Sequence, residues 1–259
     1  MNELLSLKEI KNKLEQSTGS EDWIAELEQD ERIGARKLWT SWKRKQQLLQ
    51  LERQSHEEKV VFDRSYCSLE NELVAGVDEA GRGPLAGPVV TAAVILQNVT
   101  EELIGLDDSK QLSRNKRKEL AIAIKRNAIA YSIHFQPVEK IDQLNIYEAT
   151  KQSMTEAVLS LKTRPNVVLV DAMNLPIDIK VHSIIKGDAQ SLAIAAASIL
   201  AKTARDEYMD QLHEQFPMYL FNKHAGYGTK LHIEMIEKFG PTEHHRKTFE
   251  PIKSILKMR

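Results

Sequence analysis

Four acidic side chains stand where apolar runs of this chain end. Asp78 and Glu79 follow "LVAGV", Asp171 closes "NVVLVD", and Asp188 lies in the turn "IIKGDAQ". In open α/β sheets ligands gather at the carboxyl ends of the strands, so the four carboxylates are expected to converge there. Held close, they repel and raise one another's pKa values unless cations neutralise them. An all-oxygen donor set suits hard divalent ions, Mg2+ or Mn2+. Two such ions about 4 Å apart activate a water and stabilise a leaving oxygen, which is the chemistry of phosphodiester hydrolysis. Taken singly, Asp171 and Asp188 read more often as turn formers or helix caps. The adjacent Asp78 and Glu79 are more telling. Strand alternation sends neighbouring side chains to opposite faces, and only a special local geometry makes both useful at one site.

The acids run straight into "GRGPLAG". A Gly-x-Gly that bound a dinucleotide would open a helix, whereas Pro84 and the β-branched "VVTAAVIL" lead into another strand. That leaves a bare backbone that a ligand can approach closely, with Arg82 beside the carboxylates.

The elements that position these residues follow from periodicity. "ELVAGV" and "PVVTAAVIL" read as neighbouring strands, "AIAYSIHF" as a third after a basic helix capped by Ser113, "NVVLVD" and "IKVHSII" as two more. A long helix is expected from about 138 to 161, and a second in "AQSLAIAAASILAKTARDEYMDQL", whose Ala/Ser face allows close packing. Mixed sheet with flanking helices is the economical architecture.

All eight prolines lie after residue 83, which leaves the first 70 residues poor in breakers and helical in pattern. Ser6 with Glu9 spells a capping box, and Ser20 is the expected cap of a second helix carrying Trp23, Ile24 and Leu27. The "WKRK" run reads as a phosphate-binding patch or, with Trp39 and Trp42 three apart, as the edge of a small core. The expected division is a helical extension over 1–70 and a catalytic domain with C-terminal helices over 71–259.

Composition sets limits. With 259 residues, 42% hydrophobic, 28% charged and net charge -1, the chain has room for a large core and no global basic signal, so a polyanion must be met by a local patch. No apolar run approaches the roughly 20 residues of a membrane span. A single cysteine, Cys67, in a polar stretch without a neighbouring histidine, fits a reducing compartment rather than a catalytic thiol. With no leader pattern in "MNELLSLKEI", the expected location is the cytoplasm.

"GVDEAGRGPLAGPVV", "LDDSKQLS", "VLVDAMNLP", "KGDAQSLAIAAASILAKTARD", "HAGYGT" and "GPTEHHRKTFEP" together resemble, in the same order, the motifs of the bacterial type 2 ribonucleases H, the ribonuclease HII family. The likeness spans about residues 71–251. It implies a ribonuclease H-like α/β fold with Asp78, Glu79, Asp171 and Asp188 as the catalytic, metal-binding set. It implies endonucleolytic cleavage of RNA in RNA/DNA hybrids and at a single ribonucleotide in duplex DNA, by a chain expected to act as a monomer. It also implies that Gly81, Arg82 and Gly83 read the 2'-hydroxyl and adjoining phosphate, and that Tyr227 packs against the sugar. A hydroxyl is well read by closely approaching backbone groups.

Further residues carry weaker expectations. Ser109 and Lys110 of "DDSK" read as phosphate contacts or a solvated loop, and Arg114, Lys116, Arg117 and Lys118 as an exposed helix face. Arg205 and Asp206 read as a structural pair, and His224, His244, His245 and Arg246 as packing or phosphate contacts rather than a zinc site. Ribonuclease HIII is the enzymatic alternative, disfavoured by Gly-Arg-Gly. A nucleic-acid binding protein without catalysis is the other, disfavoured by the intact quartet.

Overall fold

The computed structural model describes residues 5–17, 21–96, 100–107, 109 and 112–258, with Asp22 and Met258 described in backbone only. By its own contacts the chain divides into Met1–Ser55 and His56–Arg259.

The first unit holds α1 (Leu7–Gln16), α2 (Asp22–Glu28) and most of α3 (Ile33–Arg64). The Ser6 hydroxyl accepts from Glu9 N–H while the Glu9 carboxylate accepts from Ser6 N–H, completing the expected capping box. Ser20 lies outside the described residues, and Glu21 stands at the N-cap of α2. Ile10, Leu14, Leu27 and Ala35 are buried with Trp23, Leu38, Trp39 and Trp42 packed around them. Trp39 and Trp42 stack at 5.3 Å, and the Trp42 indole N–H donates to the Leu14 carbonyl. The tryptophans thus form the small core, and Lys43 lies over Trp39 and pairs with Glu28 at 3.3 Å.

The second unit is built on a five-stranded sheet. Its elements in order are β1 (Val74–Ala80), β2 (Val89–Leu96), α4 (Arg114–Asn127), β3 (Ala128–Gln136), α5 (Val138–Leu144), α6 (Ile146–Leu159), β4 (Val167–Asp171) and β5 (Lys180–Ile184). The helices α7 (Gly187–Gln190), α8 (Leu192–Gln215), α9 (Phe221–His224), α10 (Lys230–Phe239) and α11 (Ile252–Met258) follow. The strand order is β3-β2-β1-β4-β5, with β1–β2 and β2–β3 antiparallel and β1–β4 and β4–β5 parallel. This is the expected mixed sheet.

Two expectations change. The helix over 138–161 is two helices, because Asn145 takes φ 70° and its side chain accepts from Tyr147 and Glu148 N–H to start α6 afresh. Asparagine caps readily, so the apolar periodicity passes unbroken across the break. Nor does β1 stop at its acids: Asp78, Glu79 and Ala80 pair with Ala92, Thr91 and Val90 of β2. What ends there is the parallel pairing with β4.

Helices cover both faces. Ala92, Val94, Leu120, Ile124, Ala196 and Ile199 fill one core between sheet, α4 and α8. Val77, Ala93, Ile95, Met154, Val168 and Val170 fill the other, against α6. Gly76 sets how closely α8 lies on β1, since a β-carbon there would stand 2.0 Å from the Ala193 carbonyl carbon. Among the described residues no helix is long and apolar enough to cross a membrane.

Candidate active site

The pairing of β1 with β4 ends at Val77 and Val170, so Asp78 and Asp171 take the next position on two parallel strands, whose backbones lie roughly 5 Å apart. Val77 and Val170 face the α6 core. By alternation Asp78 and Asp171 face α8. Asp78 is only 5% exposed. Burial, then the charges of Glu79 and Asp171, hold its pKa well above the usual carboxylate range, against a Ser198 hydrogen bond and the Glu79 N–H. Oδ1 of Asp171 accepts from Gly187 N–H at 2.8 Å, which brings Asp188, the next residue, to the same strand end. Glu79 meets the Arg82 guanidinium at 3.6 Å.

This donor set fits a hard divalent cation. Several carboxylates share one strand end, and the buried member is pushed toward its neutral form by the others, the condition a cation relieves. Among the described residues no three His, Cys, Asp or Glu side chains close into a finished metal cage. Mg2+ sites commonly use one or two protein carboxylates and complete their shell with water and substrate phosphate oxygens.

Two buried arginines hold the loop after the acids. Arg246 donates to the carbonyls of Gly81, Arg82 and Gly87, and Arg205 to those of Ala86 and Pro88. Burial lowers their pKa values to about 9 and about 10, which leaves both cationic at neutral pH. The expected Arg205–Asp206 pair does not form. Successive helix positions point about 100° apart, and Asp206 instead meets Lys202 at 2.5 Å and Arg117 at 3.2 Å. Gly81 takes φ +93° against the Arg205 guanidinium. Gly83 and Arg82 are exposed, and Gly83 faces the half-exposed Tyr227 ring. The Tyr227 carbonyl is anchored by His232 Nδ1 at 3.0 Å.

The Ser109 hydroxyl is turned inward, 4% exposed, onto Ser198 at 3.1 Å. Lys110 lies outside the described residues. On α4, Lys116 and Lys118 are exposed as expected, but Arg117 is not part of that face. It turns back to donate to the carbonyls of Ser109 and Leu112. His224, His232 and His245 are buried and contact one another: His224 stacks on His232, and Nε2 of His232 lies 3.2 Å from Nε2 of His245. His245 Nδ1 meets Thr242, and His224 Nε2 meets the Tyr219 carbonyl, so these histidines pack and anchor loops. Ser198 and His232 are supporting residues that the sequence did not single out, while Arg246, expected to pack or contact phosphate, and Arg205, expected to pair with Asp206, instead hold the carbonyls of the Gly-Arg-Gly loop.

A mixed sheet in this order, with central parallel strands ending in carboxylates and helices on both faces, is the ribonuclease H fold. The family model described as Ribonuclease HII matches residues 75–251, and that described as Ribonuclease HII N-terminal domain matches residues 6–67. A ribonuclease HII of Lactobacillus helveticus is 47% identical over 98% of this chain and 100% of its own length. One of Bacillus licheniformis is 43% identical over 96% and 98%. The crystal structure of ribonuclease H2 from Pyrococcus horikoshii superposes with a TM-score of 0.63 at 27% identity, covering 72% of this chain and 98% of that one. Bst-RNase HIII in complex with Mn2+ shares the fold, with a TM-score of 0.62 at 20% identity over 74% and 71%. The chain belongs to the ribonuclease HII family. It is a metal-dependent nuclease with ribonuclease H activity on RNA/DNA.

Proposed function

We propose that this enzyme cuts the RNA strand of RNA/DNA hybrids and also cuts 5' of a single ribonucleotide embedded in duplex DNA. The observation that carries the reading is the juxtaposition of Asp78 with Asp171 and Glu79, one strand end away from the exposed Gly83–Tyr227 surface. Asp78, Glu79, Asp171 and Asp188 would hold Mg2+ or Mn2+. Two bound ions would supply an activated water and charge neutralisation at the leaving oxygen. A relative with the same fold, Bst-RNase HIII, is described in complex with Mn2+.

Water attacks the phosphorus on the 5' side of the ribonucleotide. The bond to the preceding 3'-oxygen breaks, and that oxygen takes the electron pair and a proton. The products are a 3'-hydroxyl and a 5'-phosphate. The ribonucleotide's own 2'-hydroxyl lies on the far side of its sugar from that phosphate, so it is recognised, not consumed. Gly81, Arg82 and Gly83 offer backbone groups and a cation to the hydroxyl and adjoining phosphate. Tyr227 offers its face to the sugar, and Lys110 is the proposed contact to the next phosphate, the Ser109 hydroxyl being turned inward onto Ser198. Recognition of this kind needs one chain, and the enzyme is read as a cytoplasmic monomer.

The test is cleavage of three duplexes with Mg2+ and with Mn2+: one embedded ribonucleotide, a continuous hybrid, and all DNA. A site built to hydrogen-bond a hydroxyl rejects the analogue lacking it by about 10⁴ or more. Cutting of the first two with 3'-hydroxyl and 5'-phosphate ends supports the reading. Rapid cutting of all DNA, or a cyclic 2',3'-phosphate product, overturns it.

A further inference from the structure

The second unit begins with the last turns of α3, and their buried face is chemically unusual. His56, Lys59, Val60 and Asp63 follow the spacing of one helix face. An apolar stripe would suffice for packing, yet this one carries a cation at 3% exposure and a half-buried carboxylate. Buried charges are costly unless their partners are well placed, and both partners here lead to the active site.

Lys59 Nζ donates to the Leu106 carbonyl at 2.9 Å and to Asp107 Oδ1 at 3.0 Å. Those two residues lead directly into the loop of Ser109, whose hydroxyl meets Ser198 on α8, and Ser198 is bonded in turn to Asp78. Asp63 Oδ2 accepts from Ala193 N–H at 2.9 Å in the first turn of α8. That turn follows closely on Asp188 and presses its backbone onto Gly76 of β1. The helix N-terminus partly compensates the half-buried Asp63 charge.

We infer that Lys59 and Asp63 are positioning residues for the nuclease site, Lys59 fixing the segment that leads to Ser109 and Asp63 fixing the start of the helix that follows Asp188 and carries Ser198. The inference rests on the nuclease reading above. It assigns the end of α3 to the catalytic machinery, although this stretch precedes every motif of the catalytic sequence.

The experiment uses full-length protein and a duplex with one embedded ribonucleotide, at a temperature well below each variant's melting point. Failure of the wild type to cut would overturn the nuclease reading itself, whatever the variants do. With an active wild type, Lys59→Met loosens a substrate-binding loop, so KM rises about tenfold while kcat stays within about twofold. Asp63→Ala frees the start of α8 beside a catalytic acid, so kcat falls about tenfold with KM nearly unchanged. Asp63→Asn keeps an oxygen for Ala193 N–H and recovers most of that loss. A merely structural role lowers melting temperature and leaves both constants per folded molecule at wild-type values, which overturns the assignment, as does an equal kcat loss in Asp63→Ala and Asp63→Asn. Should Lys59→Met or Asp63→Ala fail to fold, Asp107→Asn loosens the Lys59 anchor from its half-exposed side, and an unchanged KM in that variant also overturns it.

Discussion

Gly81 and Arg205 share one space: a β-carbon on Gly81 would lie 1.9 Å from Nε of the guanidinium. Arg205 is 1% exposed and tied to the carbonyls of Ala86 and Pro88, so it has nowhere to go. Gly81→Ala must therefore expel a buried cation or rebuild a turn at φ +93°. The expected cost is about 3 kcal/mol or more by chemical denaturation, with activity lost along with the loop. A variant as stable as wild type would show that the loop does not depend on this fit.

Gly83→Ala should behave in the opposite way. Its β-carbon would meet only Tyr227, at 3.7 Å, an ordinary contact. Stability should stay within about 0.5 kcal/mol of wild type, while KM for the single-ribonucleotide duplex rises because a methyl group occupies the approach of the sugar. Comparing melting curves with KM across the two glycine variants separates the residue that builds the loop from the one that faces substrate.

Asp78→Asn tests the electrostatics of the acid cluster. The raised pKa of Asp78 means that the folded state disfavours its charge, so the stability linked to its proton is present at low pH and lost as pH rises through the folded value. Without divalent ions, the neutral isostere should therefore melt higher than wild type at neutral pH. Added Mg2+ or Mn2+ should raise the wild-type melting temperature more than the variant's, by mass action on the folded state. Turnover should fall by orders of magnitude. Excess EDTA should abolish wild-type cleavage; full activity in EDTA would remove the metal mechanism.

The sheet and the acids were legible in the sequence because each is a local signal: alternation and apolar runs mark strands, and a carboxylate closing an apolar run marks where the parallel pairing of β1 and β4 ends. Asp78 beside Asp171 follows from parallel pairing alone once both strands are recognised. What holds the Gly-Arg-Gly loop was not legible. Arg246 and Arg205 reach backbone carbonyls some 120 to 165 positions away in sequence, and a carbonyl acceptor leaves no mark on residue type. Lys59 was hidden for the same reason, looking like one more charge on a long polar helix. The break at Asn145 escaped because a residue that caps a helix at positive φ leaves the apolar spacing intact on either side.

The buried histidines predict a steep acid limb. Burial first, then neighbouring histidines, lower His232 to about 4 and His245 to about 3. In the unfolded chain both titrate near the ordinary imidazole value of about 6.5. Between those values the unfolded state binds more protons, so the stability from keeping these rings neutral is present above about 6.5 and drains away as pH falls toward 4 and 3. Melting temperature should drop progressively from pH 7 to pH 4, with the Tyr227 loop loosening because His232 anchors its carbonyl. A melting temperature flat from pH 7 to pH 4 would contradict this.

Two shortened chains separate the roles of the N-terminal segment. A chain of residues 56–259 keeps Lys59 and Asp63 and the whole second unit. It should cleave with a kcat close to wild type. If the exposed Lys43, Arg44 and Lys45 meet phosphates in the full-length enzyme, this chain should bind duplex more weakly and with a shallower dependence of log affinity on log salt, by about 0.9 per lost contact. A chain of residues 71–259 keeps every strand and every catalytic acid but loses both anchors, so the segment before Ser109 and the start of α8 are left without their buried partners. Its kcat should fall and its KM rise beyond anything the shorter deletion produces, and supplying salt-independent binding conditions should not restore turnover. Equal kcat and KM in the two shortened chains would show that the end of α3 is dispensable to catalysis, and an unchanged salt slope in the 56–259 chain would show that residues 1–55 do not hold the duplex.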